Sequence, residues 1–339
     1  MKQDNYLSSW IKRFLLEYLI SVRNLAKNTQ RSYRDTFRLM LPFLALKAKK
    51  SIENLLVDDV TPDIVKEFLL DLETNRNCSI STRNQRLSAI HAFSKFIGLH
   101  SPEYVEWCRQ IQIIPVKRSQ RTLITYLEKS EMDALLNAPN METDQGRRDY
   151  CLLLFLYNTG ARADEVAQLT IADLDITYTP KRDISTVLIH GKGNKLRRCP
   201  LWQKTVDELT LLITDREPSE HVFLNRCQQP LTRFGIHAIV KRYVKKITPQ
   251  FPNIVKKKGS PHTIRHTTAT HLLQSGVDIN TIRAWLGHVS INTTNIYAEV
   301  DLEMKARALA TCEVVEPTNT TNNKHWRDDK DLMEFLNNL

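Results

Sequence analysis

Apolar residues recur at helical spacing along most of the first hundred residues. At positions 6–25 they occupy 7, 10, 11, 14, 15, 18 and 19, one face of a helix with 3.6 residues per turn. Similar stripes begin after Lys27, at Thr61 and at Ser79, and the last stops near Gly98. Because each stripe must be buried against another element, the segment is predicted to form a four-helix module.

The polar face of the fourth predicted helix is basic, since it carries Arg83, Asn84, Arg86 and Lys95. The chain has 48 Lys and Arg residues against 38 Asp and Glu residues, a formal net charge of +10. Such an excess favours a polyanionic partner such as double-stranded DNA. A basic face that only meets solvent is the alternative.

Residues 109–121, RQIQIIPVKRSQR, contain four cations and no acid. This segment is predicted to be an extended linker that follows a DNA duplex, because cations that neutralise phosphates release counterions. Lys117, Arg118 and Arg121 are its candidate DNA contacts, together with Arg83, Arg86 and Lys95 in the helical module.

The length of 339 residues predicts two domains, and 42% hydrophobic residues suffice for two cores. The six cysteines form no CxxC pair, which indicates reduced thiols in a cytoplasmic protein. Lys12, Arg13 and Glu17 interrupt any signal-peptide core near the start, and no apolar run of about 18 residues predicts a membrane span.

From residue 122 onward the pattern is mixed. Strand-like ITY (176–178) and STVLIH (185–190) are followed by a GKGNK turn and by LRRCPLW, which together predict a hairpin. Helical patterns occupy most of the remainder. The fold class is therefore mainly α with a small β-sheet.

Two stretches of this region place arginine beside apolar residues. In NTGARADEVAQL, Gly160 is predicted to end a buried helix and Arg162 to open the next one, with Glu165 three residues on. An arginine there needs an anionic partner. A purely structural ion pair between Arg162 and Glu165 is the alternative to a binding role.

Residues 260–276, SPHTIRHTTATHLLQSG, have the punctuation of a helix. Ser260 suits the N-cap, Pro261 the first helical position and Gly276 the C-terminal stop. His262 and Arg265 share a face at i and i+3. His266 and His271 add nitrogen donors, but no carboxylate lies among the histidines, which argues against zinc.

A third stretch, AWLGHVSINTTNIYAEV, places His288 just past a predicted helix stop at Gly287 and begins another helix near Tyr297. Taken singly, a loop histidine is usually a surface residue and a tyrosine a core residue. With Lys192 and the two arginines they form a set suited to phosphoryl transfer, in which cations surround the phosphate and tyrosine attacks. No acidic cluster has metal-ligand spacing, so cations are expected to replace metal ions and no cofactor is expected.

Four motifs, in order across residues 159–300, resemble the tyrosine recombinase (phage integrase) family, which includes Xer-type resolvases and transposon recombinases. They are TGARADE, IHGKGNKLRRCPL, SPHTIRHTTATHLLQSG and LGHVSINTTNIYAEV. Asp164 replaces a small polar residue common at that position. The resemblance implies an N-terminal four-helix SAM-like DNA-binding domain and a C-terminal α+β catalytic domain, although the N-terminal part matches only in type and size.

The resemblance also implies the residue roles. Arg162 and Arg265 would hold the scissile phosphate, with a further hydrogen bond from His288. Tyr297 would attack it after giving its proton to His262, and Lys192 would protonate the 5′-oxygen leaving group, with Lys195 as the alternative acid. Glu165 and His266 would support this set.

The predicted organisation is a helical core-type DNA-binding domain at 1–108, a basic linker at 109–121, a catalytic domain at 122–312, and a tether with a C-terminal docking helix at 313–339. No additional arm-binding domain is expected before Tyr6. The resemblance implies a homotetramer, or an assembly with related recombinase subunits, on specific core sites in DNA. This assembly would serve integration, transposition or resolution of a mobile element, and the resemblance also implies a bacterial protein associated with the nucleoid. A non-catalytic DNA-binding regulator, a relaxing topoisomerase and a metal-dependent nuclease are the alternatives.

Overall fold

The computed structural model describes residues 5–118, 124–176, 184–191, 193, 195–287, 294 and 334. The chain divides into two compact units, Met1–Thr122 and Leu123–Leu339. In the described residues no helix is long and apolar enough to cross a membrane. The five cysteines in those residues are free thiols.

The described part of the first unit is mainly helical. Its α-helices are α1 (Leu7–Lys12), α2 (Lys27–Ala48), α3 (Pro62–Thr74), α4 (Ile80–His100) and α5 (Val105–Gln112). A π-helical segment, Arg13–Val22, continues α1 directly, and short 3₁₀ turns occupy Ile52–Asn54, Val57–Asp59 and Pro102–Tyr104. The predicted stripes of Phe37, Met40 and Leu87 are buried in one core.

Two predicted boundaries in this unit need correction. Helix α4 does not stop at Gly98 but runs to His100. Residues 109–112 are not linker, because they form the last turn of α5. The reason is burial: Ile111 and Ile114 are 0% and 3% exposed in the helical core, so the chain stays attached to the first unit through these residues.

The second unit is also mainly helical. Its helices are α6 (Lys129–Leu136), α7 (Asp144–Thr159), α8 (Ala163–Ala167), α9 (Gln203–Ile213), α10 (Arg233–Ile247), α11 (Pro261–Gln274) and α12 (Ile279–Leu286). The central helix is α7, whose residues 151–159 are all buried. Its core is continuous with the buried faces of α10 and α11, where Ile236, Val240 and Ile264 are 0% exposed.

A small antiparallel sheet lies in the described part of the same unit, in the order β1 (Leu174–Asp175), β2 (Thr186–Gly191), β3 (Lys195–Pro200). The hairpin predicted around GKGNK is confirmed, with Gly191 opposite Lys195 and Ile189 opposite Arg197. The first strand lies earlier than predicted, because Leu174 and Asp175 pair with Val187 and Thr186 while Ile176 has left the ladder.

Candidate active site

Arg162 and Glu165 are positioned by the turn between α7 and α8. Gly160 ends α7 with φ of 59°, the left-handed conformation that glycine adopts most easily. Arg162 is then the N-cap of α8, and its backbone N–H donates to Glu165 Oε2 at 2.9 Å. Its Nη1 donates to Glu165 Oε1 at 2.7 Å. The two side chains therefore form an ion pair.

Glu165 also binds a second arginine, which the sequence reasoning missed. Arg197 on β3 donates from Nη2 to Glu165 Oε2 at 2.7 Å, and its side chain is 8% exposed. Burial raises the pKa of Glu165, but the hydrogen bonds and charges of Arg197 and Arg162 outweigh burial and hold this pKa below its ordinary 4.5. Glu165 is therefore an ionised carboxylate between two guanidinium groups.

Helix α11 begins as the sequence predicted. Ser260 is its N-cap and accepts from the Thr263 N–H at 3.2 Å, and Pro261 is the first helical residue. The chain then turns near Gly276, which has φ of 84°. Ile264 is 0% exposed, so the apolar face anchors the helix.

Arg265 is buried, at 2% exposure. Its Nη1 donates to the Gly160 carbonyl at 2.7 Å and its Nη2 to the Leu286 carbonyl at 2.6 Å. These acceptors are at the C-terminal ends of α7 and α12, where unpaired carbonyls carry partial negative charge. The contacts bring Arg265 next to the turn that carries Arg162, about a hundred residues earlier in the chain.

The two histidines in the first half of α11 pack against each other. The rings of His262 and His266 are 4.2 Å apart between centroids, in an edge-to-face arrangement. Burial and the charges of Arg265 and Arg162 lower the pKa of His262. Burial, His262 and Arg265 lower the pKa of His266 to about 4. Both rings are thus neutral at pH 7, the form in which an imidazole accepts a proton.

His271, the last histidine of α11, has a packing role. Its Nδ1 shares a hydrogen bond of 2.8 Å with the Tyr157 hydroxyl, whose pKa burial raises to about 12. Thr267 Oγ1 accepts from the Leu127 N–H at 2.9 Å, and Thr268 Oγ1 donates to the Tyr157 carbonyl at 2.8 Å. These contacts fix α11 to α7 and to the residues before α6.

Three predicted catalytic residues, Lys192, His288 and Tyr297, lie outside the described residues. The elements that lead to two of them are described. Gly191 ends β2 immediately before Lys192, and Gly287 ends α12 with φ of 67° immediately before His288. Lys195, the alternative acid, begins β3 and is exposed.

The predicted DNA contacts of the first unit differ in exposure. Lys95 and Arg118 are exposed, whereas Arg86 is half-buried and donates to the Ser32 carbonyl at 2.9 Å. Lys117 pairs with Glu73 at 2.8 Å. Arg121 lies outside the described residues.

The helical pattern predicted Arg83 on an exposed polar face, but the structure buries it. Its side chain is 6% exposed, lies 3.6 Å from Glu73 and donates to the Pro115 carbonyl at 3.0 Å. The adjacent Asn84 accepts from the Lys117 N–H at 3.1 Å and donates to its carbonyl at 2.8 Å. Arg83 and Asn84 therefore hold the segment that follows α5 against α4.

Family models match both units. The phage integrase family model covers residues 125–304, and the model of the phage integrase N-terminal SAM-like domain covers residues 11–98. The integrase/recombinase y4rC of Sinorhizobium fredii is 33% identical over the whole of both chains. The tyrosine recombinase XerC of Bacillus licheniformis is 30% identical over 87% of this chain and 94% of that protein.

Solved structures share the fold. The Tn1549 transposon integrase in complex with transposon right end DNA has a TM-score of 0.68 at 18% identity, covering 91% of this chain and 99% of that one. The XerH recombinase bound to its difH substrate has a TM-score of 0.62 at 22% identity, covering 90% and 95%. The chain belongs to the phage integrase family and is a tyrosine-type site-specific recombinase.

Proposed function

We propose that this recombinase cuts and rejoins DNA by metal-free transesterification through a 3′-phosphotyrosyl intermediate, acting as a tetramer on two DNA sites. Tyr297 is the nucleophile, and Arg162 and Arg265 bind the non-bridging oxygens of the scissile phosphate. His288 donates a further hydrogen bond. The reaction serves integration, transposition or resolution of a mobile element.

The observation that carries the proposal is the convergence of Arg162, His262 and Arg265. They come from two segments far apart in the chain, yet Arg265 contacts the Gly160 carbonyl at 2.7 Å, two residues from Arg162. The charges of both arginines also act on His262. Two cations beside a neutral imidazole suit a dianionic phosphorane-like transition state, because charge develops on its equatorial oxygens.

The proposed step balances without a cofactor. The Tyr297 hydroxyl passes its proton to His262, the phenolate oxygen bonds to phosphorus, and the bond from phosphorus to the 5′-oxygen breaks. Lys192 gives that oxygen a proton. The 5′-hydroxyl of a partner strand then attacks the phosphotyrosyl bond, so the second step is the first in reverse and needs no nucleotide hydrolysis.

DNA binding by the first unit is part of the proposal. The exposed cations Lys95 and Arg118 are candidate phosphate ligands, together with Arg121. Arg83 and Lys117 are proposed to contribute by ordering the basic segment and Arg86 by joining α4 to α2, since their described partners lie within the unit. Structural relatives were solved with transposon DNA and with difH bound, which supports a duplex partner.

Substitution of Tyr297 by Phe tests the nucleophile. The variant keeps the ring but loses the hydroxyl, so it should bind DNA normally and form no covalent adduct in a denaturing gel. Wild-type protein should form the adduct in the presence of EDTA. An adduct of normal yield from Tyr297→Phe, or loss of wild-type cleavage on chelation, would contradict the proposal, and relaxation of plasmid without a specific site would indicate a topoisomerase instead.

A further inference from the structure

Arg197 lies where the segments leading to three proposed catalytic residues meet. Its guanidinium binds Glu165, the partner of Arg162, at 2.7 Å. Its Nε donates to the Trp285 carbonyl at 2.9 Å, in the last turn of α12 before His288. Its strand pairs with β2, whose last residue, Gly191, precedes Lys192.

Gly287 allows the guanidinium to lie this close to the end of α12, whereas the contact with the end of β2 at Gly191 is an ordinary one. A Cβ added to Gly287 would lie 3.1 Å from Arg197 Cδ and 3.3 Å from its Nη1. A Cβ added to Gly191 would lie 3.5 Å from the same Nη1 and 3.6 Å from Glu165 Oε1. Arg197 thus lies against the backbone of Gly191, which precedes Lys192, and of Gly287, which precedes His288.

Arg197 and Arg265 also cap the same helix end. Arg197 donates a hydrogen bond to the Trp285 carbonyl at 2.9 Å, and Arg265 donates one to the Leu286 carbonyl at 2.6 Å. A cation at a helix C-terminus interacts favourably with the unpaired carbonyls and the helix dipole. The two arginines therefore hold two neighbouring carbonyls at the end of α12, the helix that precedes His288 in the chain.

We propose that Arg197 is a positioning residue for cleavage: it holds the Arg162–Glu165 pair, the β2 end before Lys192 and the α12 end before His288 in one arrangement. It does so from a side chain that is 8% exposed and acts through its neighbours rather than on the phosphate. The inference rests on the proposed function, because it assigns Arg197 a role in that reaction. Loss of positioning by about 1 Å can cost on the order of 10²-fold in rate.

Lysine cannot replace this arginine fully. A guanidinium presents donors along a planar fork, which here reach a carboxylate and a carbonyl on different segments. A lysine ammonium is a single point donor on a flexible stem. Arg197→Lys should therefore retain the charge and lose the bridging, and Arg197→Met should lose both.

The chain offers a matched control on the same strand. Arg198 follows Arg197 directly, but its side chain is 64% exposed and its nearest described carboxylate, Asp175, is 3.8 Å away. Arg198→Met removes the same charge, but from an exposed side chain. It should bind and cleave DNA like wild type, apart from any small effect of net charge on affinity.

The test measures DNA affinity and, separately, the single-turnover rate of covalent adduct formation at saturating DNA. Arg197→Met should cleave on the order of 10²-fold more slowly with DNA affinity unchanged, and Arg197→Lys should fall between it and wild type. Thermal denaturation of each variant identifies the folded fraction, and rates are expressed per folded molecule. If Arg197→Met does not fold, Arg197→Lys carries the comparison with Arg198→Met.

The outcomes separate this inference from the proposed function. Absence of an adduct from wild-type protein would overturn the proposed function. A normal wild-type adduct together with equal rates for Arg197→Lys and wild type would overturn only the positioning role. A lower melting temperature with an unchanged rate per folded, bound molecule would do the same, because it would make Arg197 a purely structural residue.

Discussion

Replacing Glu165 by Gln should destabilise the second unit, because this carboxylate holds two arginines at once. Its oxygens accept from the Arg162 N–H at 2.9 Å, from Arg162 Nη1 at 2.7 Å and from Arg197 Nη2 at 2.7 Å. Its side chain is 5% exposed. Glutamine has nearly the same shape, but one oxygen becomes an NH2 group that faces a guanidinium donor.

The size of the loss follows from the burial of the partners. Removing one member of a buried ion pair costs about 3–5 kcal/mol, because the remaining charge stays buried. Arg162 is 39% exposed and regains water, whereas Arg197 is 8% exposed and does not. The lower figure of about 3 kcal/mol is therefore expected, which for a unit of this size lowers the melting temperature by roughly 6–12 °C.

Circular dichroism melting of Glu165→Gln beside Asp164→Asn measures this loss. Asp164 is the adjacent, exposed carboxylate, and its described contact is to Gln168 at 3.4 Å, so its substitution should leave the melting temperature nearly unchanged. The pKa of Glu165 is held below 4.5, so its contribution is present above that pH and is lost as pH falls through the folded-state pKa. The difference in melting temperature between wild type and Glu165→Gln should therefore become smaller as the pH falls below 4.5. Equal melting of the two variants at pH 7 would refute the reasoning.

Three other predictions concern the proton donor, the histidine pair of α11 and the C-terminal segment. Lys192→Ala should cleave ordinary DNA poorly and recover on a 5′-bridging phosphorothiolate, whose leaving group needs no proton; rescue confined to Lys195→Ala would move the role to Lys195. Burial lowers the pKa of His266 from 6.5 to about 4, so the free energy of unfolding should fall as pH drops through this range, by at most about 3 kcal/mol and less where solvent reaches the ring. Urea titrations of His266→Gln should show a flatter pH dependence. The sequence predicts a C-terminal docking helix within 313–339. If it joins the subunits of the proposed tetramer, deleting 325–339 should spare binding to one site and weaken two-site recombination, and wild-type recombination by the truncated chain would exclude that role.

Local rules were enough to predict the ends of the helices that carry the site. Gly160 and Gly287 both adopt positive φ where the sequence placed helix stops, and Ser260 caps α11 with its own hydroxyl. Each of these features depends on residues within one turn, which is why spacing alone predicts them.

Long-range partners could not be predicted in this way. Arg197 lies 32 residues from Glu165 and 88 from Trp285, and only the hairpin and the α12 packing bring them together. In the sequence LRRCPLW, Arg197 and Arg198 are indistinguishable in type. The one usable signal was strand alternation, since successive residues face opposite sides of a sheet and Cys199 and Arg197 share the face that is covered.

Arg83 illustrates the same limit in the first unit. Helical periodicity assigned it to the polar face of α4, but a polar face is not always exposed. The chain after α5 returns along α4 and covers Arg83, because Ile111 and Ile114 are buried in the core and bring Pro115 within 3.0 Å of its guanidinium. A basic residue on a helix can thus organise a basic segment rather than meet the polyanion itself.

The burial of Arg265 has a related explanation in the helix ends around it. A guanidinium at 2% exposure loses most of its hydration and needs negative charge in return. The carbonyls of Gly160 and Leu286 lie at the C-terminal ends of α7 and α12, so the negative ends of two helix dipoles converge on this one side chain. Each carbonyl also belongs to a segment that leads to a proposed phosphate ligand, Arg162 after Gly160 and His288 after Leu286. The contacts that compensate the buried cation therefore also hold the ends of the two helices that lead to these proposed phosphate ligands.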